Sequence, residues 1–235
     1  MQININQLQK IYEQQSVLDI DRLEIEKGEL LGIVGNNGAG KTTLLRLVLD
    51  LIQASRGEVL LNGQNVSGSG HWKTLTGSYL DEGFLIDFMT PEEYFYFVAK
   101  LAGMSKEAAD KKLRVFSRFM NDEILGQKKF IRQFSTGNKQ KVGIIAAMLT
   151  QPELLILDEP FNFLDPTSQI LINRILKEEN EARGTTMLIS SHNLSHITGI
   201  CTRIILLEKG KILKDLTPSN SDLQEIEKYF SVGAE

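Results

Sequence analysis

The chain has 235 residues, enough for one large domain, or a domain carrying a subdomain, around a substantial core. Its 26 Lys and Arg against 30 Asp and Glu give a formal net charge of −4, with no basic run or stripe, which argues against a protein that wraps a polyanion. A single cysteine, Cys201, excludes an intramolecular disulfide framework and suits a reducing compartment, and no apolar stretch approaches the length of a bilayer span. The start, Met1-Gln2-Ile3-Asn4-Ile5-Asn6, alternates like a strand and lacks the basic and apolar regions of a signal peptide. Cys201, within Gly199-Ile200-Cys201-Thr202, is expected to be a small packed residue.

In chain order, apolar runs predict strands over residues 3–8, 17–25 and 30–34, then a helix over 41–52 with Leu44, Leu45, Val48 and Leu51 at helical spacing. Residues 57–63 form a further expected strand, ending in the turn signal Asn62-Gly63. Ser67-Gly68-Ser69-Gly70 is too brief for an interdomain linker. Helical texture runs from about 91 to 121. Thr90 is expected to cap the first helix, with Pro91 at its first position, and a second helix is expected over 105–120 with Leu113, Phe116 and Met120 on one side. A helix follows Gly137 to about Leu149. Residues 154–157 are wholly apolar, as in the centre of a sheet covered on both faces. Then come a helix over 166–181, strands over 185–190 and 203–207, a turn at Glu208-Lys209-Gly210-Lys211, and a closing amphipathic helix over 222–230. Strands alternating with helices imply an α/β fold with a mainly parallel sheet, and the helix-rich middle, about 84–150, implies an insertion. There are no repeats.

Two motifs carry chemistry. Gly35-Asn36-Asn37-Gly38-Ala39-Gly40-Lys41-Thr42-Thr43 has the P-loop pattern G-x-x-x-x-G-K-T between an expected strand and an expected helix. Such a loop turns successive backbone N–H groups onto the phosphates of a nucleotide at a helix N-terminus, where free donors and the dipole favour anions. Lys41 can reach the β- and γ-phosphates, and Thr42 offers a hydroxyl to Mg²⁺. Downstream, Leu154-Leu155-Ile156-Leu157 ends in Asp158-Glu159-Pro160. Alone, this is equally a strand end with two solvated carboxylates. Beside a P-loop, Asp158 suits Mg²⁺ held through water, the Walker B role, and Glu159 suits polarising the water that attacks the γ-phosphate.

Phe134-Ser135-Thr136-Gly137-Asn138-Lys139-Gln140-Lys141-Val142 opens a second helix with small and hydroxyl residues. This segment resembles the LSGGQ signature of ABC-type ATPases, in the S-x-G-x-K-Q-K variant of bacterial exporter subunits. The order of the other motifs is similar to that family over nearly the whole chain: Tyr12 where an aromatic stacks on adenine, Leu164-Asp165 as the D-loop, and Ser190-Ser191-His192 as the switch histidine. The resemblance implies a P-loop core with a mainly parallel sheet, an N-terminal antiparallel β subdomain and a helical signature subdomain, all in a single domain spanning 1–235.

It further implies an ATPase that binds ATP and Mg²⁺ and closes as a head-to-tail dimer, with itself or with a related cassette. Each ATP would lie on residues 35–43 of one chain and beneath Ser135, Thr136, Gly137 and Asp165 of the other. Such a dimer would power, outward by the signature variant, a separate membrane-spanning permease at the cytoplasmic face of the plasma membrane. Glu159 would act as general base, with His192 and Lys41 completing the catalytic set. The family's Q-loop glutamine is replaced by Asp81, followed by Glu82, and Asp81 is expected near Mg²⁺ with Thr42 and Asp158. Thr136 and Asn138 replace a glycine and a glutamine of the signature. The aromatic run Phe84, Phe88, Tyr94, Phe95, Tyr96 and Phe97 divides between core packing and a groove for the permease. Tyr12 also admits a packing-only reading. Two other readings stand beside transport. One is a soluble ABC ATPase of ribosomes or DNA, which the single cassette and the absence of basic tracts disfavour, since no nucleic-acid partner is expected. The other is a slow-turnover regulatory cassette.

Overall fold

The computed structural model describes residues 1–217; the helix expected over 222–230 lies outside them. The chain begins with a long hairpin, β1 (Ile3–Tyr12) and β2 (Gln15–Ile25), both strands running further toward their turn than their apolar runs suggested. Next come β3 (Leu30–Val34) and the helix α1 (Lys41–Val48). The helix stops four residues before the expected end because Asp50 takes a left-handed φ of 50°, and Leu51 is then half exposed. β4 (Arg56–Leu61) and β5 (Gln64–Asn65) join through Asn62 and Gly63, both at positive φ as the Asn-Gly signal requires.

β6 (Thr76–Tyr79) leads to the helical part: α2 (Pro91–Leu101), α3 (Lys106–Leu113), α4 (Ser117–Met120) and α5 (Thr136–Leu149). Thr90 caps α2 as expected, its hydroxyl accepting from the Glu93 N–H while the Glu93 carboxylate accepts from the Thr90 N–H. The helix expected over 105–120 is broken by a tight turn at Arg114–Phe116, yet Leu113, Phe116 and Met120 are buried on one side. β7 (Leu154–Leu157), α6 (Pro166–Arg183), β8 (Thr186–Ser191), the short α7 (Leu194–Thr198), β9 (Arg203–Glu208) and β10 (Lys211–Leu216) complete the described chain.

Two sheets result. One is antiparallel, in the order β2-β1-β4-β5; the other runs β10-β9-β3-β8-β7-β6, parallel except for the edge strand β10. Neither β6 nor β10 was foreseen. The large sheet is covered on both faces, so its strands read as unbroken apolar runs. Leu155, Leu157, Met187 and Ile189 face α5, α6 and the helical part, while Leu154, Ile156, Leu188 and Ile205 face α1 and the antiparallel sheet. Residues 140–149 of α5 are buried without exception, making this helix the spine that joins the helical part to the sheet. No helix among the described residues is long and apolar enough to cross a membrane.

Candidate active site

The parallel strands β3, β7 and β8 lie side by side, so the segments leaving their carboxyl ends emerge together. β3 delivers the glycine-rich loop 35–43, β7 delivers Asp158 and Glu159, and β8 delivers His192. The loop is propped from below by the turn between β9 and β10, where the Gly210 N–H donates to the Ala39 carbonyl at 2.9 Å. Gly40 opens α1 at φ 106°, and a Cβ there would stand 3.0 Å from the Val17 carbonyl oxygen, so only glycine fits between β2 and the helix. Asn36, Asn37 and Gly38 are exposed, Ala39 is buried, and Thr43, like Thr42, is half-buried.

The polar groups expected to meet a triphosphate are held by one another. Lys41, only 6% exposed, donates from Nζ to the Gly35 carbonyl at 2.7 Å and more distantly to that of Asn36 at 3.4 Å. The same ammonium lies 3.2 Å from Glu159 Oε1. That oxygen is buried and accepts no directed hydrogen bond, so the contact is an ion pair. Glu159 Oε2 stands 2.9 Å from His192 Nδ1 and accepts from the His192 backbone N–H at 3.2 Å. Thr42 Oγ1 donates to Asp158 Oδ2 at 2.5 Å.

Two residues absent from the expected site complete this network. Ser190, fully buried at the end of β8, donates its hydroxyl to Asp158 Oδ1 and accepts the Glu159 N–H at 2.9 Å. Gln140 of α5 donates Nε2 to the Glu159 carbonyl at 3.0 Å. Glu159 itself sits at φ 48°, a left-handed conformation that these bonds hold in place. Burial pushes the Asp158 carboxyl above its ordinary range, with the Ser190 and Thr42 hydroxyls pulling the other way. The only signal for Ser190 was its place two residues before His192; Gln140 gave none beyond the signature-like run.

The signature residues sit at the start of α5. Ser135 is the N-cap, accepting from the Asn138 N–H at 3.3 Å, and both Ser135 and Thr136 are exposed, so the extra side chain of Thr136 meets no obstruction. Thr136 and Gln140 line a cavity of about 230 Å³ with Asp81, Asp158, Glu159 and Phe163. A Cβ on Gly137 would stand 2.5 Å from the Phe163 carbonyl oxygen, so the loop after β7 rests directly on this glycine. Asp165 caps α6, accepting from the Ser168 N–H at 3.0 Å and its hydroxyl at 2.5 Å, and these bonds hold its carboxyl below the usual range.

Two expected residues stand apart from the phosphate-side cluster. Asp81 lines the cavity, but its carboxylate pairs with Arg46 of α1 at 3.6 Å and accepts from the Gly83 N–H at 2.8 Å. Tyr12 lies at the tip of the β1–β2 hairpin, 47% exposed. Cys201 is buried and its thiol pushed well up by burial, consistent with a packed residue. Of the aromatic run, Phe95 is fully buried; Phe84 and Tyr94 line a groove of about 600 Å³ with Tyr79, Leu85, Val98 and Leu101.

A P-loop at the end of one parallel strand and paired acids at the end of another define a nucleotide-binding ATPase cassette. Residues 18–162 match the protein family described as ABC transporter, and the chain belongs to that family as an ATP-binding subunit with ATPase chemistry. It is 35% identical over 211 residues to an uncharacterized ABC transporter ATP-binding protein of Methanocaldococcus jannaschii, covering 89% of this chain and 75% of the relative. It is likewise 35% identical over 219 residues to the bacitracin transport ATP-binding protein BcrA of Enterococcus faecalis, covering 92% and 70%. A solved structure described as the ATP binding subunit of an ABC transporter superposes with a TM-score of 0.83 at 28% identity, covering 98% of this chain and 94% of that one.

Proposed function

We propose that this chain hydrolyses ATP to drive outward transport through a separate permease, acting as a head-to-tail dimer at the cytoplasmic face of the membrane. The observation that carries the chemistry is the convergence of Lys41, Glu159 and His192 beside the Thr42–Asp158 pair. Lys41 and the backbone of 35–43 would bind the β- and γ-phosphates. Glu159 would accept a proton from the attacking water as the bond from the γ-phosphorus to the bridging oxygen breaks and ADP departs with the electron pair. His192 would orient Glu159 and donate to the γ-phosphate. A hydroxyl and a carboxylate 2.5 Å apart suit a hard cation, so Thr42 and Asp158 would hold Mg²⁺, which supplies charge neutralisation when bound. Asp81 would join them only by leaving Arg46.

A lone P-loop covers one side of a triphosphate. The exposed start of α5, with Ser135, Thr136 and Gly137, and the nearby Asp165 would cover the other side in the partner's site. The groove lined by Phe84, Tyr94 and Leu101 suits an apolar helix from the permease. The signature variant supports an outward direction. The test is Glu159→Gln at saturating ATP and Mg²⁺: nucleotide binding persists, turnover falls by orders of magnitude, and sedimentation shows a dimer. Normal hydrolysis, or a strictly monomeric variant with and without the permease, overturns the reading.

A further inference from the structure

We infer that Lys10 is a positioning residue of the base site, seating the Tyr12 ring from one face and leaving the other for the purine. The inference rests on the reading that Tyr12 stacks on the base. Lys10 Nζ lies 4.7 Å from the centroid of the Tyr12 ring, within the range of a cation over a π-face. That ammonium is not free to wander, because it also donates to the Gln53 carbonyl at 2.7 Å.

The strand that carries both residues is held at the same place. Ser55 Oγ accepts the Ile11 N–H at 3.0 Å, and the Ser55 N–H donates to the Gln9 carbonyl at 2.8 Å. The segment 53–55 thus grips β1 at Gln9, Lys10 and Ile11 in succession, just short of Tyr12. The register of β1 shifts between Lys10 and Ile11, and side-chain contact between Lys10 and Tyr12 across that irregularity shows that both project to one side. Across the hairpin, Lys10 pairs with Leu18, whose side chain packs beside Gly40 of the phosphate loop. The mount for the ring therefore stands on the same piece of β structure that borders the phosphate site.

A tyrosine half exposed at a hairpin tip would otherwise rotate about χ1, and a base that stacks on it would bear the cost of ordering it. Lys10 removes part of that freedom before the nucleotide arrives. It also closes one face of the ring, so a base has one face to choose. The cation draws on the negative π-cloud from its own side, which suits an electron-rich purine on the opposite side.

The experiment is competition of unlabelled ATP, and separately of inorganic tripolyphosphate, against a ribose-labelled fluorescent ATP on the full chain. The variants are Lys10→Met, Lys10→Arg and Tyr12→Ala. Lys10→Met is expected to weaken ATP about two- to fivefold while leaving tripolyphosphate unchanged, and Lys10→Arg to stay near wild type. Unchanged ATP affinity in Lys10→Met, while Tyr12→Ala is weakened, overturns the role of Lys10 alone. Equal losses for ATP and tripolyphosphate in Lys10→Met also overturn it, because the effect would then lie in the fold or the phosphate loop. Unchanged ATP affinity in Tyr12→Ala removes the base-stacking reading and the inference with it.

Discussion

Glu159 Oε1 stands 3.2 Å from Lys41 Nζ, so the glutamate proposed to activate water also occupies the ammonium proposed to bind phosphate. Lys41 is buried, and the pair is shielded from screening better than a surface bridge. On the proposed reading, a β-phosphate competes with Glu159 for an ammonium that the Gly35 carbonyl also holds. Glu159→Ala is therefore expected to bind ADP about fivefold more tightly than wild type, since roughly 1 kcal/mol of competing ion pair is removed. ADP is the informative ligand, because it lacks the γ-phosphate on which ATP-driven closure would depend. Titration of the wild type and the variant with labelled ADP checks this; equal or weaker binding by the variant shows that the pair does not compete with nucleotide.

Ser190 bridges the two acids, donating to Asp158 and accepting from the Glu159 N–H. Ser190→Ala leaves the part-buried Glu159 N–H and the buried Asp158 carboxylate each short of a partner, at a cost of about 1–3 kcal/mol. The variant is expected to melt several degrees lower, and its kcat to fall about tenfold to a hundredfold as Glu159 loses its setting. KM should move less than kcat, because Ser190 reaches residues 35–43 only through Asp158, whereas it bonds the Glu159 N–H directly. Thermal melts with steady-state ATPase assays decide it, and a normal kcat would show that the remaining contacts of Glu159, to Gln140, Lys41 and His192, fix it without Ser190.

What was legible in the sequence was local. The run from Gly35 to Thr43 shapes its own loop, and the apolar strand 154–157 ending in Asp158 and Glu159 announces its position, because a few consecutive residues determine the geometry in each case. The hairpin turn at Asn62-Gly63 and the cap at Thr90 were legible for the same reason. Contacts between distant segments were not. Nothing in the chain order brings Gln140 to the Glu159 carbonyl, or turns Asp81 toward Arg46 and away from the Thr42–Asp158 pair. β6 was missed because Thr76-Gly77-Ser78-Tyr79 has the composition of a turn; it is a strand because β7 pairs with it and α5 covers it. The helical spacing overruns α1 because Leu51 continues it while the backbone has already turned at Asp50.

Gly137 carries the loop that follows Glu159. A methyl group added there would stand 2.5 Å from the Phe163 carbonyl oxygen, a backbone atom that cannot swing aside. Gly137→Ala is expected to push residues 159–165 off α5, costing about 1–3 kcal/mol and most of the ATPase activity. ADP binding by the isolated chain should persist, since residues 35–43 lie on another strand. Loss of turnover with retained ADP affinity supports this; full turnover shows that the loop relaxes freely.

Asp165 links stability to pH. Its carboxylate caps α6 through the Ser168 N–H and hydroxyl, and those bonds hold its pKa below the ordinary value. A depressed folded-state pKa means that the cap's contribution is complete above the unfolded value of about 3.9 and is lost as pH falls through the folded value. Asp165→Ala is expected to cost about 1 kcal/mol at pH 7, typical for loss of an N-cap. The gap between wild type and variant should stay constant from pH 8 to about pH 5 and shrink only as the carboxylate protonates below its unfolded pKa. Urea unfolding of both proteins across that range measures it. A gap that already closes near neutral pH would mean that another titrating group, and not Asp165, controls the end of α6.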